Sequence, residues 1–198
     1  SVCAKEQLRE VLKCIEAVRD AVGSEIELAV DLHGRINPTT TVTLLKELEA
    51  FDLWFIEEPS LPENIRSLQK ISALSRVPVA TGERLFTKWG FVPVLGDRLV
   101  DIIQPDLCHV GGISEAKKIA SMAEAYYISV APHNPLSHVS TVACLHLDAN
   151  IPNFLAQEVV VNDVPWRGEL VNFDVKPVNG YVNLPSGPGL GINLNYSV

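Results

Sequence analysis

The chain has 198 residues, of which 47% are hydrophobic and 20% charged, as is usual for a soluble globular protein with one sizeable core. No apolar run approaches the ~20 residues of a membrane-spanning helix, and the net charge of −8 disfavours nucleic acid or an anionic membrane as a partner. A small acidic ligand is not excluded, because a bound metal ion can reverse the sign of a site.

The cysteines indicate a reducing compartment. None belongs to a CxxC motif, and each lies in a helical or strand-like context, so we interpret Cys3, Cys14, Cys108 and Cys144 as buried free thiols. The first residues lack the pattern of a secretory signal peptide. The sequence therefore predicts a cytoplasmic protein.

Amphipathic helical segments alternate with short apolar segments as far as residue 158. Hydrophobic spacing predicts helices over residues 4–22, 40–51, 63–75, 87–95, 114–126 and 137–147. Pro93 could break the fourth of these helices. Apolar runs predict strands over residues 26–30, 53–56, 77–80, 100–104, 128–131 and 154–157. Strands that are apolar on both faces are typical of a parallel sheet covered by helices.

Each predicted strand is followed by a polar residue that could take part in chemistry. These residues recur at intervals of 23 to 27 positions and are Asp31, Glu57, Glu83, Asp106, His133 and Glu158. In an open doubly wound sheet only the strand ends at a switch point face the ligand, whereas in a (β/α)₈ barrel all of them face one active site. We therefore predict an α/β fold of the (β/α)₈ TIM-barrel type.

The composition changes after residue 162. The last part of the chain is rich in Gly, Pro, Asn and Val, and Asn179-Gly180 between short apolar segments predicts a β-hairpin. We therefore divide the chain into a partial barrel that carries the active site, residues 1–162, and a tail of hairpin and loop, residues 163–198. We expect the tail to pack on the barrel or on a capping domain.

Three carboxylates follow successive strands, and they are Asp31, Glu57 and Glu83. Converging carboxylates repel one another, and a hard divalent cation relieves that repulsion. Because the ligands are all oxygen atoms, the pattern favours Mg²⁺ over Zn²⁺. The alternative is that each acid pairs with a neighbouring base, as Glu83 could with Arg84.

The first of these acids belongs to the stretch Asp31-Leu32-His33-Gly34-Arg35. Two residues apart on extended backbone, Asp31 and His33 point the same way and form a candidate pair of ligand and acid. Arg35, the cation of this stretch, is a candidate for binding an acidic substrate. A surface turn without chemistry is the alternative interpretation.

Asp106 and His133 follow the next two strands. A carboxylate beside an imidazole fixes its tautomer and raises its basicity, so this pair is a candidate general base. Glu158 could bind substrate or form a structural salt bridge. Of the other histidines, we interpret His138 and His146 as helix-capping or helix-surface residues and leave His109 open.

These segments together resemble one known family. The resemblance is carried by Asp31–Arg35, Phe55-Ile56-Glu57-Glu58-Pro59, Thr81-Gly82-Glu83-Arg84, Ile103-Gln104-Pro105-Asp106 with Gly111-Gly112-Ile113, and Ala131-Pro132-His133. Their order resembles the mandelate racemase subgroup of the enolase superfamily, and within it the sugar-acid dehydratases of the galactonate and gluconate type. The resemblance extends over essentially the whole chain.

The resemblance implies a lyase that dehydrates an aldonate, such as galactonate or gluconate, to a 2-keto-3-deoxy acid. It implies that Mg²⁺, bound by Asp31, Glu57 and Glu83, holds the substrate carboxylate and stabilises an enediolate. It also implies that His133, oriented by Asp106, takes the α-proton, and that His33 protonates the departing β-hydroxyl. Glu158 matches the position that hydrogen-bonds the substrate carboxylate. The family's habit implies a homo-oligomer.

The family barrel has eight strands and a preceding α+β capping domain, whereas this chain begins in the helix before the third strand. We therefore expect an incomplete barrel without the first strands and the cap, and we doubt that the chain acts alone. Family members with a Lys base carry it on the second strand, so a racemase or epimerase of a hydroxy acid is one alternative. An inactive fragment or assembly subunit is the other.

Overall fold

The computed structural model describes residues 5–160, 164 and 166–197. The helices are α1 Lys5–Val22, α2 Pro38–Leu48, α3 Ile65–Leu74, α4 Thr87–Gly96, α5 Leu107–Val110, α6 Ile113–Glu124 and α7 His138–Asp148. The strands are β1 Val30–Asp31, β2 Ile56–Glu57, β3 Val79–Thr81, β4 Ile102–Ile103 and β5 Ser129–Val130. Two 3₁₀ turns cover Glu49–Phe51 and Arg167–Glu169.

Parallel pairing joins β1 to β4 in sequence order. The ladder extends beyond the strands themselves, since the amide of Trp54 donates to Leu28 and that of Asp101 donates to Val79. Parallel strands that alternate with helices confirm the predicted α/β fold of the TIM-barrel type.

The first predicted strand is shorter than expected. Residues 26–29 do not belong to β1, and Ile26 is 55% exposed. The guanidinium of Arg19 donates to the carbonyl groups of Gly23 and Ile26, at 2.8 and 2.7 Å. These bonds hold the backbone after α1 in a turn, which apolar patterning alone does not reveal. The last predicted strand is likewise reduced to one bridge, between Val130 and Phe154.

The chain divides into two compact units. Unit 1 contains the described residues up to Gly82 together with Val92–Ile103, and unit 2 contains Glu83–Phe91 and the described residues from Gln104 onward. The core of unit 1 includes the buried side chains Leu44, Leu45, Leu48, Ile56 and Ile71. The core of unit 2 includes Ile119, Ala120, Ile128, Val142 and Leu147. The predicted boundary at residues 162 and 163 lies outside the described residues, and that division stays a prediction.

Two helices differ from the sequence expectation. α4 continues through Pro93 without a break. His138 is the first residue of α7 and is buried, so a helix-surface position for it is wrong. Ser137 occupies the N-cap of α7. Helix periodicity did not identify the buried face because α7 is apolar around much of its circumference.

The tail packs within unit 2. The predicted hairpin is present, with Val178 and Tyr181 forming an antiparallel bridge. His146 donates from Nε2 to the carbonyl of Leu190 at 3.0 Å, which ties the tail to α7. This bond explains the half-buried position of His146 on the helix.

The cysteine prediction is partly wrong. Cys144 is buried, but Cys14 and Cys108 are exposed free thiols, and Cys3 lies outside the described residues. Cys14 lies on the polar face of α1, where helical periodicity places it outside the core. Within the described residues, no helix combines the length and the apolar character needed to cross a membrane.

Candidate active site

Asp31 and His33 form a close pair at the end of β1. The Asp31 Oδ1 atom accepts a hydrogen bond from the His33 backbone amide at 2.7 Å, and Asp31 Oδ2 lies 2.9 Å from His33 Nε2. The predicted proximity is present, but the expected cause is wrong. His33 has a φ of 49°, so a side-chain-capped turn, not extended backbone, brings the two groups together.

Glycine is required in this turn. The φ of Gly34 is 62°, and a Cβ on it would lie 2.9 Å from the Leu61 side chain. The Gly34 amide donates to the carbonyl of Glu58 at 2.7 Å. The turn after β1 is therefore held closely against the segment that follows β2, and this fixes where Asp31 and His33 lie in unit 1.

Glu57, the second predicted metal ligand, is the direct register partner of Asp31 on the neighbouring strand. Its neighbour Glu58 is buried, with a φ of 41°. Glu58 Oε1 accepts hydrogen bonds from the Thr81 hydroxyl and from the Gly82 amide. Sequence reasoning gave Glu58 no role, although a second acid before Pro59 was a visible signal. It links the ends of β2 and β3.

Glu83 is separated from the end of β3 by Gly82. Arg84 donates from Nε to Glu83 Oε1 at 3.1 Å. The pairing with a neighbouring base, which the sequence left open, is therefore present for Glu83. His33 pairs with Asp31 in the same way as Arg84 pairs with Glu83. A cation at either carboxylate would therefore compete with a basic side chain.

Asp106 and His133 form a buried pair in unit 2. Asp106 Oδ2 lies 2.8 Å from His133 Nδ1, and Oδ1 accepts the Cys108 amide at 2.7 Å, which caps α5. Burial acts to raise the pKa of Asp106, but the hydrogen bonds from His133 and Cys108 outweigh it and hold that pKa below its usual range. Asp106 is therefore ionised, and Nδ1 of His133 carries a proton.

The other ring nitrogen of His133 faces Glu83, with 3.3 Å between Nε2 and Oε2. Burial acts to lower the pKa of His133, but the hydrogen bond to Asp106 and the charges of Glu158 and Glu83 raise it above its usual range. The sequence predicted the pairing with Asp106. It did not predict that Glu83 also contacts the same ring.

Glu158 is held by Asn134. Its Oε2 accepts the Asn134 amide at 2.5 Å, and the Asn134 side chain donates to the Glu158 carbonyl and to the Thr141 hydroxyl. Within the described residues no salt bridge of Glu158 is present, and its substrate-binding role stays a prediction. Asn134, which is buried, was not identified from the sequence, because an asparagine between Pro-rich neighbours looks like an ordinary turn residue.

Two further residues from the sequence analysis, Arg35 and His109, lie in unit 1 and in unit 2 respectively. Arg35 lines a cavity of about 270 Å³ in unit 1 together with Asn37, Ser60 and Asn64, and its substrate-binding role stays a prediction. His109 lies in α5 and its Nδ1 is 2.9 Å from the carbonyl oxygen of Glu83. The position that the sequence left open is thus part of the same cluster as His133.

Comparison with known proteins gives consistent matches. Residues 3–198 match the family described as Enolase C-terminal domain-like. A Salmonella enterica protein provisionally named as a dehydratase is 37% identical, with a TM-score of 0.96. The alignment covers 100% of this chain and 50% of the Salmonella enterica protein. A mandelate racemase/muconate lactonizing enzyme-like protein from Rubrobacter xylanophilus is 35% identical, with a TM-score of 0.93 and coverage of 99% of this chain and 50% of its own.

A member of the enolase superfamily from Salmonella Typhimurium matches at 30% identity and a TM-score of 0.94. Again all of this chain aligns to 50% of the other. The chain thus spans about half the length of the solved structures that it matches. The family match covers nearly every residue and the identities reach 37%, so the chain belongs to the Enolase C-terminal domain-like family of the enolase superfamily.

Proposed function

We propose that the chain carries the acid–base machinery of a Mg²⁺-dependent sugar-acid dehydratase, a lyase that converts an aldonate such as galactonate or gluconate to a 2-keto-3-deoxy acid. The observation that carries the proposal is the line of contacts from Asp106 through the ring of His133 to Glu83. A relative that is provisionally named as a dehydratase supports the reaction class. We extend the proposal to a cytoplasmic homo-oligomer.

The carboxylates of the chain fit a hard cation. Asp31 and Glu57 are direct partners on neighbouring parallel strands, and Glu57 pairs in turn with Ala80, three residues before Glu83. We propose that Asp31, Glu57 and Glu83 hold Mg²⁺, because an all-oxygen carboxylate set suits this ion. The ion would supply positive charge against the dianion that forms when an α-proton leaves a carboxylate.

His133 is the proposed base. Its Nδ1–H is held by ionised Asp106, so the proton from the α-carbon goes to Nε2. The C–H bond electrons then move toward the substrate carboxylate, which gains a second negative charge. The neighbouring charge of Asp106 stabilises the imidazolium that forms. Glu158, fixed by Asn134, is proposed to hydrogen-bond the substrate carboxylate.

His33 is the proposed acid for the second step. Its ring is held at Asp31 and its side chain is half exposed, so it can exchange protons with solvent. We propose that it protonates the β-hydroxyl as the C–O bond breaks, which releases water and leaves an enol. Tautomerisation of the enol gives the 2-keto-3-deoxy acid. Arg35, two residues further along, is proposed to bind the distal part of the anionic substrate.

Incubation of the full-length enzyme with a panel of aldonic acids and Mg²⁺ tests the proposal. A 2-keto-3-deoxy product from at least one acid, lost when Mg²⁺ is chelated, is the expected result. Deuterium uptake from solvent at the α-carbon without loss of water would instead identify a racemase or epimerase. Absence of both product and exchange for every acid would contradict the proposal.

A further inference from the structure

His109, in unit 2, belongs to a closed series of contacts that also includes Glu83, His133 and Asp106. It belongs to the single turn of α5, three residues after Asp106, and its backbone amide donates to the Asp106 carbonyl at 3.0 Å. Its Nδ1 lies 2.9 Å from the carbonyl oxygen of Glu83 and 3.8 Å from Asp106 Oδ2. The imidazole therefore stands between the backbone of one acid and the carboxylate of the other.

The partner of this ring nitrogen fixes where the proton lies. A carbonyl oxygen only accepts hydrogen bonds, so Nδ1 of His109 must carry a hydrogen and donate it to Glu83. The ring also packs beside Phe86, with 5.9 Å between the ring centroids. His109 thus holds the segment after β3 at two points, through a hydrogen bond at residue 83 and through ring packing at residue 86.

These contacts close a circuit around the proposed base. Glu83 Oε2 meets His133 Nε2, His133 Nδ1 meets Asp106 Oδ2, and the Asp106 helical turn carries His109 back to the Glu83 backbone. His109 holds the Glu83 backbone from the side of α5 through this hydrogen bond, and the Glu83 carboxylate extends from that backbone. A shift of that backbone would move Oε2 away from the ring of His133.

We propose that His109 is a positioning residue whose Nδ1–H holds the Glu83 backbone, so that the Glu83 carboxylate stays aligned with Nε2 of His133. The catalytic consequence rests on the function proposed above, but the geometry does not. His109 acts through Glu83 and takes no proton from the substrate. The side chain is 45% exposed, so it can be changed without opening a buried cavity.

Two matched variants separate the hydrogen bond from the ring packing. His109→Asn places an amide N–H near the position of Nδ1 and removes the ring, whereas His109→Phe keeps an aromatic ring against Phe86 and removes the donor. If the hydrogen bond positions Glu83, the asparagine variant behaves like the parent protein and the phenylalanine variant does not. A merely structural ring would give the opposite order.

The first measurement is independent of turnover. Long-range ¹H–¹⁵N spectra of the histidine rings above pH 8 should show Nδ1 of His109 protonated. The ¹⁵N resonance of His133 Nε2 should shift in His109→Phe and stay in place in His109→Asn. A bare Nδ1 on His109, or a His133 resonance that neither variant moves, overturns the proposal even if no aldonate proves to be a substrate.

The second measurement uses turnover. A loss of about 10- to 100-fold, the usual cost of removing a supporting hydrogen bond at a metal ligand, is expected in kcat for His109→Phe, with KM changed less than about threefold. Rescue to within about threefold is expected for His109→Asn. Equal losses in both variants overturn the positioning role. Absence of turnover in the parent protein contradicts the proposed function instead, and the spectra then decide the role of His109.

Discussion

The chain contains two carboxylate–imidazole pairs of almost equal length, and they differ mainly in burial. Asp31 and His33 are 2.9 Å apart in unit 1, with side chains 28% and 53% exposed. Asp106 and His133 are 2.8 Å apart in unit 2, with side chains 0% and 15% exposed. Water screens the first pair, whereas the second lies in an environment of lower dielectric where the same contact is worth more.

The surroundings of the two pairs differ in the same direction. The exposed pair is built within one turn, from residues two positions apart. The buried pair joins two segments 27 residues apart, and further groups at Cys108 and Glu83 hold it from both sides. Burial acts to raise the pKa of Asp106 and to lower that of His133, but the hydrogen bonds and charges of these partners outweigh it, so the pKa of Asp106 is lowered and that of His133 is raised. The buried pair is suited to act as a base in a fixed orientation. The exposed pair is suited to act as an acid that regains its proton from solvent.

The largest effect is expected from removing the base of the buried pair. His133→Asn should lower both dehydration and α-proton exchange by about 10³- to 10⁴-fold, since no other group within the described residues is placed to replace Nε2. Product formation and deuterium uptake measured in the same samples check this. Dehydration within tenfold of the parent protein would assign the base to another residue.

Breaking the exposed pair should separate the two steps. His33→Asn is expected to lower dehydration by about 10²-fold while His133-driven exchange of the α-proton continues, because only the second step needs an acid at the β-hydroxyl. The ratio of exchange to product, measured by mass spectrometry in D₂O, reports the split. Unchanged dehydration would remove His33 from its assigned role.

The two pairs should also differ in stability. Asp106→Asn removes a buried charge that faces His133 and is expected to lower the free energy of unfolding by about 3 kcal/mol. The matched change Asp31→Asn, in the exposed pair, is expected to cost less than about 1 kcal/mol. Urea unfolding of both variants measures the difference. Similar costs would mean that burial is not what separates the pairs.

Among the described residues, a third carboxylate is buried without the hydrogen-bond partners that Asp106 has. Asp148, at the end of α7, is buried, and its two oxygen atoms have no hydrogen-bond partner within the described residues. Burial raises its pKa to about 8, opposite to the direction at Asp106. Asp148 therefore stays protonated in the folded state at pH values where it ionises in the unfolded chain.

The sign of the resulting pH dependence follows from proton binding. Between about pH 4 and pH 8 the folded state holds the proton of Asp148 and the unfolded state does not, so stability falls as pH rises, by at most about 1.4 kcal/mol per unit. Asp148→Asn should remove this part of the slope in urea unfolding measured across that range. A slope that is the same in both proteins would contradict the assignment.

The order of the candidate site residues along the chain was predictable because the carboxyl ends of parallel strands lie at one edge of a sheet. That regularity predicted that Asp31 and Glu57 lie at neighbouring strand ends and that Asp106 pairs with His133, and the structure shows both. It also gave the α/β fold, since two-sided apolar strands between amphipathic helices have few other solutions.

The supporting contacts were not predictable, for a physical reason. Glu58, His109 and Asn134 act through hydrogen bonds to backbone groups of other segments, and such bonds depend on where loops lie after folding. The turn that joins Asp31 to His33 depends on a positive φ at a histidine, which no hydrophobic pattern reports. Periodicity describes faces and strand ends, and it contains no information on these contacts.

An NMR titration of His133, in the parent protein and in the Asp106→Asn variant, tests most directly whether Asp106 sets the basicity of His133. A pKa of His133 above its usual range in the parent protein, falling when Asp106 loses its charge, is the predicted result. A pKa that is the same in both proteins would contradict the claim that a buried carboxylate sets the basicity of the proposed base.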